Sequence, residues 1–212
     1  MTTTRVARNR EETTARILGA VGSVLARDGF QALGINAIAK EAGVDKVLIY
    51  RYFGGLPELI AAWGASGRFW PDLAELLGPD GGASLRRLPV AERYARFFDH
   101  FIDGLRARPL TIEILAGEIA LRNELVVVLE DERERWGEQA FAMLAGPDMA
   151  AQAPELRDIT LLLVAGVQHL LLRGRTIRRF GGLDLQSDAD WARLKESIAQ
   201  MAVRMLNPAT AA

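Results

Sequence analysis

Apolar residues recur at three- and four-residue spacing along almost the whole chain, and no alternating segment flanked by turn signals interrupts them. That periodicity commits the chain to helices packed on helices, an all-α fold. Glycine and proline punctuate the pattern into nine expected helices, at about residues 10–28, 35–42, 46–52, 57–70, 89–108, 109–121, 123–145, 154–180 and 188–206. Gly29 and Gly43 stop the first two, Asp45 is placed to cap the third, and Pro57 opens the fourth after Gly54 and Gly55. Residues 78–88, rich in glycine and proline, read as a loop.

Composition removes several classes. The longest apolar stretch, residues 159–172, is shorter than a bilayer span and contains Gln168 and His169, so no membrane segment is expected. The first sixteen residues, rich in Thr and Arg, lack the apolar centre of a signal peptide, and a cytoplasmic location follows as an expectation. There is no cysteine, which excludes disulfides, thiol catalysis and cysteine metal sites. The formal net charge is only −1, but residues 1–53 carry eight Lys or Arg against five Asp or Glu, a mildly basic head on an acidic body.

The head holds the informative pattern. Two short helices joined by a tight glycine-containing turn form a helix-turn-helix arrangement, whose second helix enters the major groove of DNA. At about 100° per residue, Ile49 and Phe53 share the inward side of that helix, Val47 and Arg51 point away from it, and Leu48 and Tyr50 flank them. Val47 and Leu48 are thus apolar on an outward face, where thymine methyl groups would accept them. Arg51 is suited to a guanine edge or a phosphate, and Lys46, Tyr50 and Tyr52 to phosphates. Asn36 stands in the first turn of the preceding helix, and Arg5, Arg8 and Arg10 read as a flexible basic arm.

The run from Ile38-Ala39 through Ala42-Gly43-Val44-Asp45-Lys46 to Ile49-Tyr50-Arg51-Tyr52-Phe53 resembles the helix-turn-helix signature of the TetR family of bacterial transcriptional regulators. The resemblance is dense over residues 10–63 and architectural beyond them. It implies a helix-turn-helix DNA-binding domain at 1–55 and a helical ligand-binding and dimerisation domain at 56–212. It also implies a homodimer formed through the last two helices, and release from DNA when a small molecule fills a cavity in the body. Three positions depart from the family pattern: Gly34 replaces a Ser or Thr cap, Asp45 replaces another, and Leu56 replaces a phosphate-meeting lysine.

In the body, Trp63, Trp70, Phe97, Phe98, Phe101 and Trp136 supply aromatic surface for a pocket or for a core. Glu113, Glu118 and His169, with His100 and Gln168, are polar groups on apolar helices placed to orient a ligand. An aromatic lining would suit an apolar or aromatic effector. Glycines inside helices, Gly64, Gly104, Gly117, Gly137 and Gly166 among them, imply close helix crossings or room for a cavity.

No cofactor or metal motif is present. The two histidines lie far apart, no Glu-x-x-His pair exists, and no phosphate-binding glycine loop appears, so no enzyme is expected. The sequence therefore reads as a ligand-responsive, homodimeric repressor binding a near-palindromic double-stranded operator. The alternatives are a helical dimeric protein-interaction module, or a regulator with no small-molecule effector.

Overall fold

A computed structural model describes residues 2–66, 69–80, 82–120, 124–152 and 155–206, with the side chains of 2–8, 120, 124, 147–152 and 155 outside the description. Among the described residues it contains eleven α-helices, one 3₁₀ turn and one two-stranded hairpin. The helices are α1 (Thr2–Asp28), α2 (Ile35–Ala42), α3 (Lys46–Phe53), α4 (Leu56–Gly64), α5 (Leu73–Leu77), α6 (Ala83–Arg86), α7 (Val90–Arg106), α8 (Pro109–Ala120), α9 (Glu124–Gln152), α10 (Glu155–Gly174) and α11 (Asp188–Leu206). Strands β1 (Arg179–Phe180) and β2 (Leu183–Asp184) pair antiparallel between α10 and α11. No described helix is long and apolar enough to cross a membrane.

The chain divides into two compact units, Met1–Trp70 with Glu113–Arg133, and Pro71–Ile112 with Glu134–Ala212. The expected domain at 1–55 lies wholly within the first. Its core grows from the apolar stripe of α1, where Ile17, Val21, Val24 and Leu25 stand at i, i+4, i+7 and i+8 and are all buried. Against α1 pack α2, through Ile38, Ala39 and Ala42, and α4, through Leu59, Ile60 and Trp63; α3 joins them by Ile49. Burial of each such Leu or Ile side chain contributes about 1.5–3 kcal/mol, far more than the propensity of three helices only eight or nine residues long.

The second unit is built on α7 packed against α11. Tyr94, Phe97, Phe98, Phe101, Ile102 and Leu105 form the buried face of α7, and Trp191, Ile198 and Ala202 that of α11. Trp191 donates from Nε1 to the Leu185 carbonyl at 3.0 Å, which satisfies its polar atom at full burial. The Arg106 guanidinium lies 5.4 Å from the Trp191 ring and pairs with Asp188 at 2.6 Å. Lys195 reaches Asp103 at 2.6 Å and Asp99 at 3.0 Å. Burial works to lower the Lys195 pKa, but the two carboxylates together outweigh it and hold the group above the usual lysine range.

Several sequence expectations are corrected. The basic arm is no flexible segment, because α1 is helical from Thr2. Nine helices become eleven because α5 forms just before the glycine-rich loop at 78–88 and α6 forms within it. Asp72 accepts from the Ala74 N–H at 2.9 Å to cap α5, and Asp80 accepts from the Ser84 N–H at 2.8 Å beside α6. The helix expected over 154–180 ends at Gly174, and the chain then forms a hairpin that apolar periodicity concealed. Its turn residues Gly181 and Gly182 both have positive φ, 58° and 85°, as a type I′ turn requires. The break at Gly146 stands where the sequence places it, with φ 75°, and a further helical stretch follows.

Close packing accounts for two of the in-helix glycines, against a neighbouring helix at Gly64 and against the connecting residue Pro71 at Gly104. A Cβ at Gly64 would lie 3.1 Å from Leu129 Cδ2, and one at Gly104 would lie 3.0 Å from Pro71 Cγ. A Cβ at Gly117 would touch Phe30 at 3.4 Å, whereas Gly137 and Gly166 face open space.

Candidate nucleic-acid interface

The turn between α2 and α3 sets the geometry. Gly43 takes the left-handed conformation, φ 62° and ψ 41°, which lets its N–H reach the Lys40 carbonyl while the Val44 N–H bonds the Ala39 carbonyl at 3.0 Å. Two residues later Asp45 accepts from the Val47 N–H at 2.8 Å and so starts α3. At Gly34 the start of α2 has no side-chain cap, as its residue type dictates.

Ile49 is completely buried, and this fixes the rotation of α3. Val47 is therefore 63% exposed and Tyr50 53% exposed, with Lys46 and Arg51 exposed beside them. Leu48 and Tyr52 are half-buried on the flanks, and Phe53 is half-buried as well. Asn36 is exposed on α2. The side chains of Arg5 and Arg8 lie outside the described residues. Among the described residues the structure thus gathers Lys46, Val47 and Tyr50 on one exposed face of α3, with Arg51 exposed at its edge toward Tyr52.

Sequence reasoning missed the opposing wall. Asn9, Thr13 and Arg16 stand at i, i+4 and i+7 on α1 and, with Arg10, face Leu48, Arg51 and Tyr52 across a surface groove of about 670 Å³. The guanidinium carbon of Arg10 lies 5.1 Å from the centre of the Tyr52 ring and that of Arg51 lies 5.2 Å from it. The helical spacing of 9, 13 and 16 was the available signal.

The residues expected to meet a ligand fall in both units. In the first, Trp63 and Trp70 are buried on either side of Phe69, with ring centres 5.6 and 5.5 Å from it. Glu113 is exposed, while the Glu118 side chain is nine-tenths buried and accepts from Arg133 Nη1 at 2.5 Å through Oε2. Its Oε1 has no hydrogen-bond partner among the described residues, and burial raises its pKa against the opposing pull of Arg133. Arg122, four residues after Glu118, lies outside the described residues. In the second unit Phe97, Phe98, Phe101 and Trp136 are brought together, with Phe101 5.7 Å from Phe97 and 6.0 Å from Trp136. Trp136 Nε1 donates to the Pro71 carbonyl at 3.0 Å. His169 is exposed and meets Phe180 edge-on at 5.5 Å; His100, also exposed, bonds the Leu76 carbonyl at 3.0 Å. A crevice bounded by Tyr94, Ile159, Leu163 and Met201 holds only about 10 Å³, room for about one water.

Residues 17–62, which contain α2, the turn and α3, match the family described as bacterial regulatory proteins, tetR family. Over those residues the chain is similar to TetR-family heads. The whole chain shares its fold with solved regulators whose sequences are far from it. A TetR-like transcriptional regulator from Rhodococcus sp. RHA1 is 24% identical, with a TM-score of 0.56 over 92% of this chain and 95% of the other. A TetR-family transcriptional regulator from Haemophilus influenzae RD is 19% identical, with a TM-score of 0.55 over 92% and 98%. No curated protein matches the chain. A TetR-like helix-turn-helix head followed by a helical body is therefore the fold, and α3 is the second helix of its helix-turn-helix.

Proposed function

We propose that this chain is a homodimeric DNA-binding repressor that a small molecule releases from its operator. The observation that carries the reading is the exposed α3 face, where Val47 and Tyr50 project from a helix fixed by buried Ile49 within a TetR-family head. A side chain as apolar as Val47 at 63% exposure suits a thymine methyl group, and Lys46 and Tyr50 beside it suit backbone phosphates. Asn36 and Arg5 and Arg8 of α1 extend the contact to neighbouring phosphates. The domain at 1–55 binds DNA, and the domain at 56–212 dimerises and takes the effector.

Dimerisation through α10 and α11 is supported by the apolar surface these helices leave open, with Leu161 65%, Leu162 71% and Val203 42% exposed. The aromatic clusters around Phe101 and around Trp63 support an apolar or aromatic effector. No catalytic role enters this reading, and its place of action is the cytoplasm, where the operator is.

The test is binding of the full chain to the DNA upstream of its own gene across a salt series, with shuffled duplexes as control and selection from a random library if that DNA is not the operator. Sequence-selective binding that weakens steeply with salt is the expected result. Absence of any selected sequence would overturn it. Apolar capture of another protein by Val47 and Leu48, the competing use of this face, would show little salt dependence.

A further inference from the structure

We infer that the groove between α1 and α3 is a clamp for the DNA backbone, its arginines meeting adjacent phosphates, in which Tyr52 is a positioning residue that holds the Arg10 and Arg51 guanidiniums, with Arg16 as a third cation. This rests on the DNA-binding reading above and assigns to Arg51 a phosphate in place of a base edge.

Three arginines converge on one groove from two helices. Asn9, Thr13 and Arg16 follow one face of α1, and Leu48, Arg51 and Tyr52 follow one face of α3. Among the described residues none of the three guanidiniums forms an ion pair, so their charge is unspent within the chain. Like charges gathered this way repel one another, which an anion between them relieves. Neither the buried core of α1 nor that of α3 needs them.

The Tyr52 ring explains how the charges are held. Guanidiniums at 5.1 and 5.2 Å from one ring centre lie within cation–π range. The ring thus limits the rotamers of two long side chains and reduces the entropy lost when they close on a phosphate. Thr13 contributes a wall and no donor, because it is buried and its hydroxyl already donates to the Asn9 carbonyl at 2.7 Å. Asn9 brings a neutral amide to the rim. A ring that engages Arg51 from its own helix also draws that side chain toward α1, away from the Val47 and Tyr50 face that would meet base edges.

Salt dependence reads phosphate contacts directly. The slope of log affinity against log salt changes by about 0.9 for each phosphate neutralised, on any duplex sequence. The experiment uses the full chain and a random-sequence duplex, with Arg16→Ala, Arg51→Ala, Tyr52→Phe and Tyr52→Leu. The slope is expected to fall by about one per head in Arg16→Ala and Arg51→Ala and to fall likewise in Tyr52→Leu, while Tyr52→Phe keeps the parent slope because the ring remains. Preference among sequences in a library selection is expected to be unchanged in Arg51→Ala. Circular dichroism and the unfolding midpoint of each variant separate loss of the clamp from loss of the fold.

An Arg16→Ala slope equal to the parent's overturns the clamp and leaves the regulator reading intact. So does a Tyr52→Phe variant as impaired as Tyr52→Leu, which would make the phenol the contact. Saturable binding of inorganic phosphate that leaves duplex affinity untouched would overturn the duplex as occupant. A parent chain that binds no duplex overturns both readings together.

Discussion

At the residue scale, two glycines in long helices of the same unit should respond oppositely to one added methyl group. Gly137 faces open space in α9, so Gly137→Ala removes backbone freedom from the unfolded chain without a clash. Stability is expected to rise by about 0.5–1 kcal/mol. Gly104 in α7 meets the ring of Pro71, where a Cβ would lie 3.0 Å from Cγ and 3.2 Å from Cβ. A prolyl ring cannot rotate aside, so Gly104→Ala should cost about 1–3 kcal/mol. Denaturant midpoints of the two variants check both signs. Equal effects would mean that the α7 contact relaxes freely.

At the element scale, the Glu118–Arg133 pair ties α8 to α9, and its pH dependence runs opposite to that of an ordinary salt bridge. Burial raises the Glu118 pKa above 4.5 in spite of Arg133. As pH rises from that value toward the folded one, the unfolded chain ionises first, so the folded state loses stability across that window. Below it both states are protonated and Glu118 contributes no slope. Glu118→Gln removes the titration, and its unfolding temperature should gain on that of the parent as pH rises through the window. The difference cancels the opposite contribution of carboxylates such as Glu75, which its hydrogen bonds to Arg108 hold below the usual range. A gap that narrows with pH would mean that the attraction of Arg133 prevails over burial.

Helix α3 depends on one side-chain cap at its start. Asp45→Ala leaves the Val47 N–H unsatisfied and should cost about 1 kcal/mol, read as a lowered unfolding midpoint. Asp45, Gly43 and Ile49 were legible in sequence because a cap, a left-handed glycine and a single inward residue are local properties of the chain. The same holds for α7, whose aromatic stripe has helical spacing. The groove was less legible, because Arg16 acquires its place only when α1 packs so that its 9, 13, 16 face meets Tyr52. The hairpin at 179–184 escaped for the opposite reason: two residues per strand are too few for alternation to register, and Gly181-Gly182 serves equally as a helix stop. Trp63 and Phe97 show the limit for the body, since an aromatic helix face reads the same whether it lines a pocket or fills a core.

At the scale of the whole molecule, the proposed homodimer needs a surface to join two heads, and α10 carries exposed apolar residues suited to it. Leu161, Leu162, Ala165, Gly166 and His169 are exposed along one stripe of that helix, and Leu162 is 71% exposed. Water contact at this density of apolar area is unfavourable, and in the proposed homodimer a second copy related by a two-fold axis would cover the same stripe on both chains at once. Gly166, with nothing within 4 Å of a Cβ, leaves room for a close approach of the partner helix. Leu162→Glu places two carboxylates against each other near such an axis and should yield a monomer in sedimentation equilibrium. The parent unfolding midpoint should rise with protein concentration, and that of the variant should not. Since the linked heads of the proposed homodimer would search half-sites about 34–36 Å apart as one body, the monomer should lose operator affinity by about 100-fold while its salt slope per head is retained. A Leu162→Glu chain that stays dimeric would move the interface off α10, and a monomer with undiminished affinity would show that one head reads the operator alone.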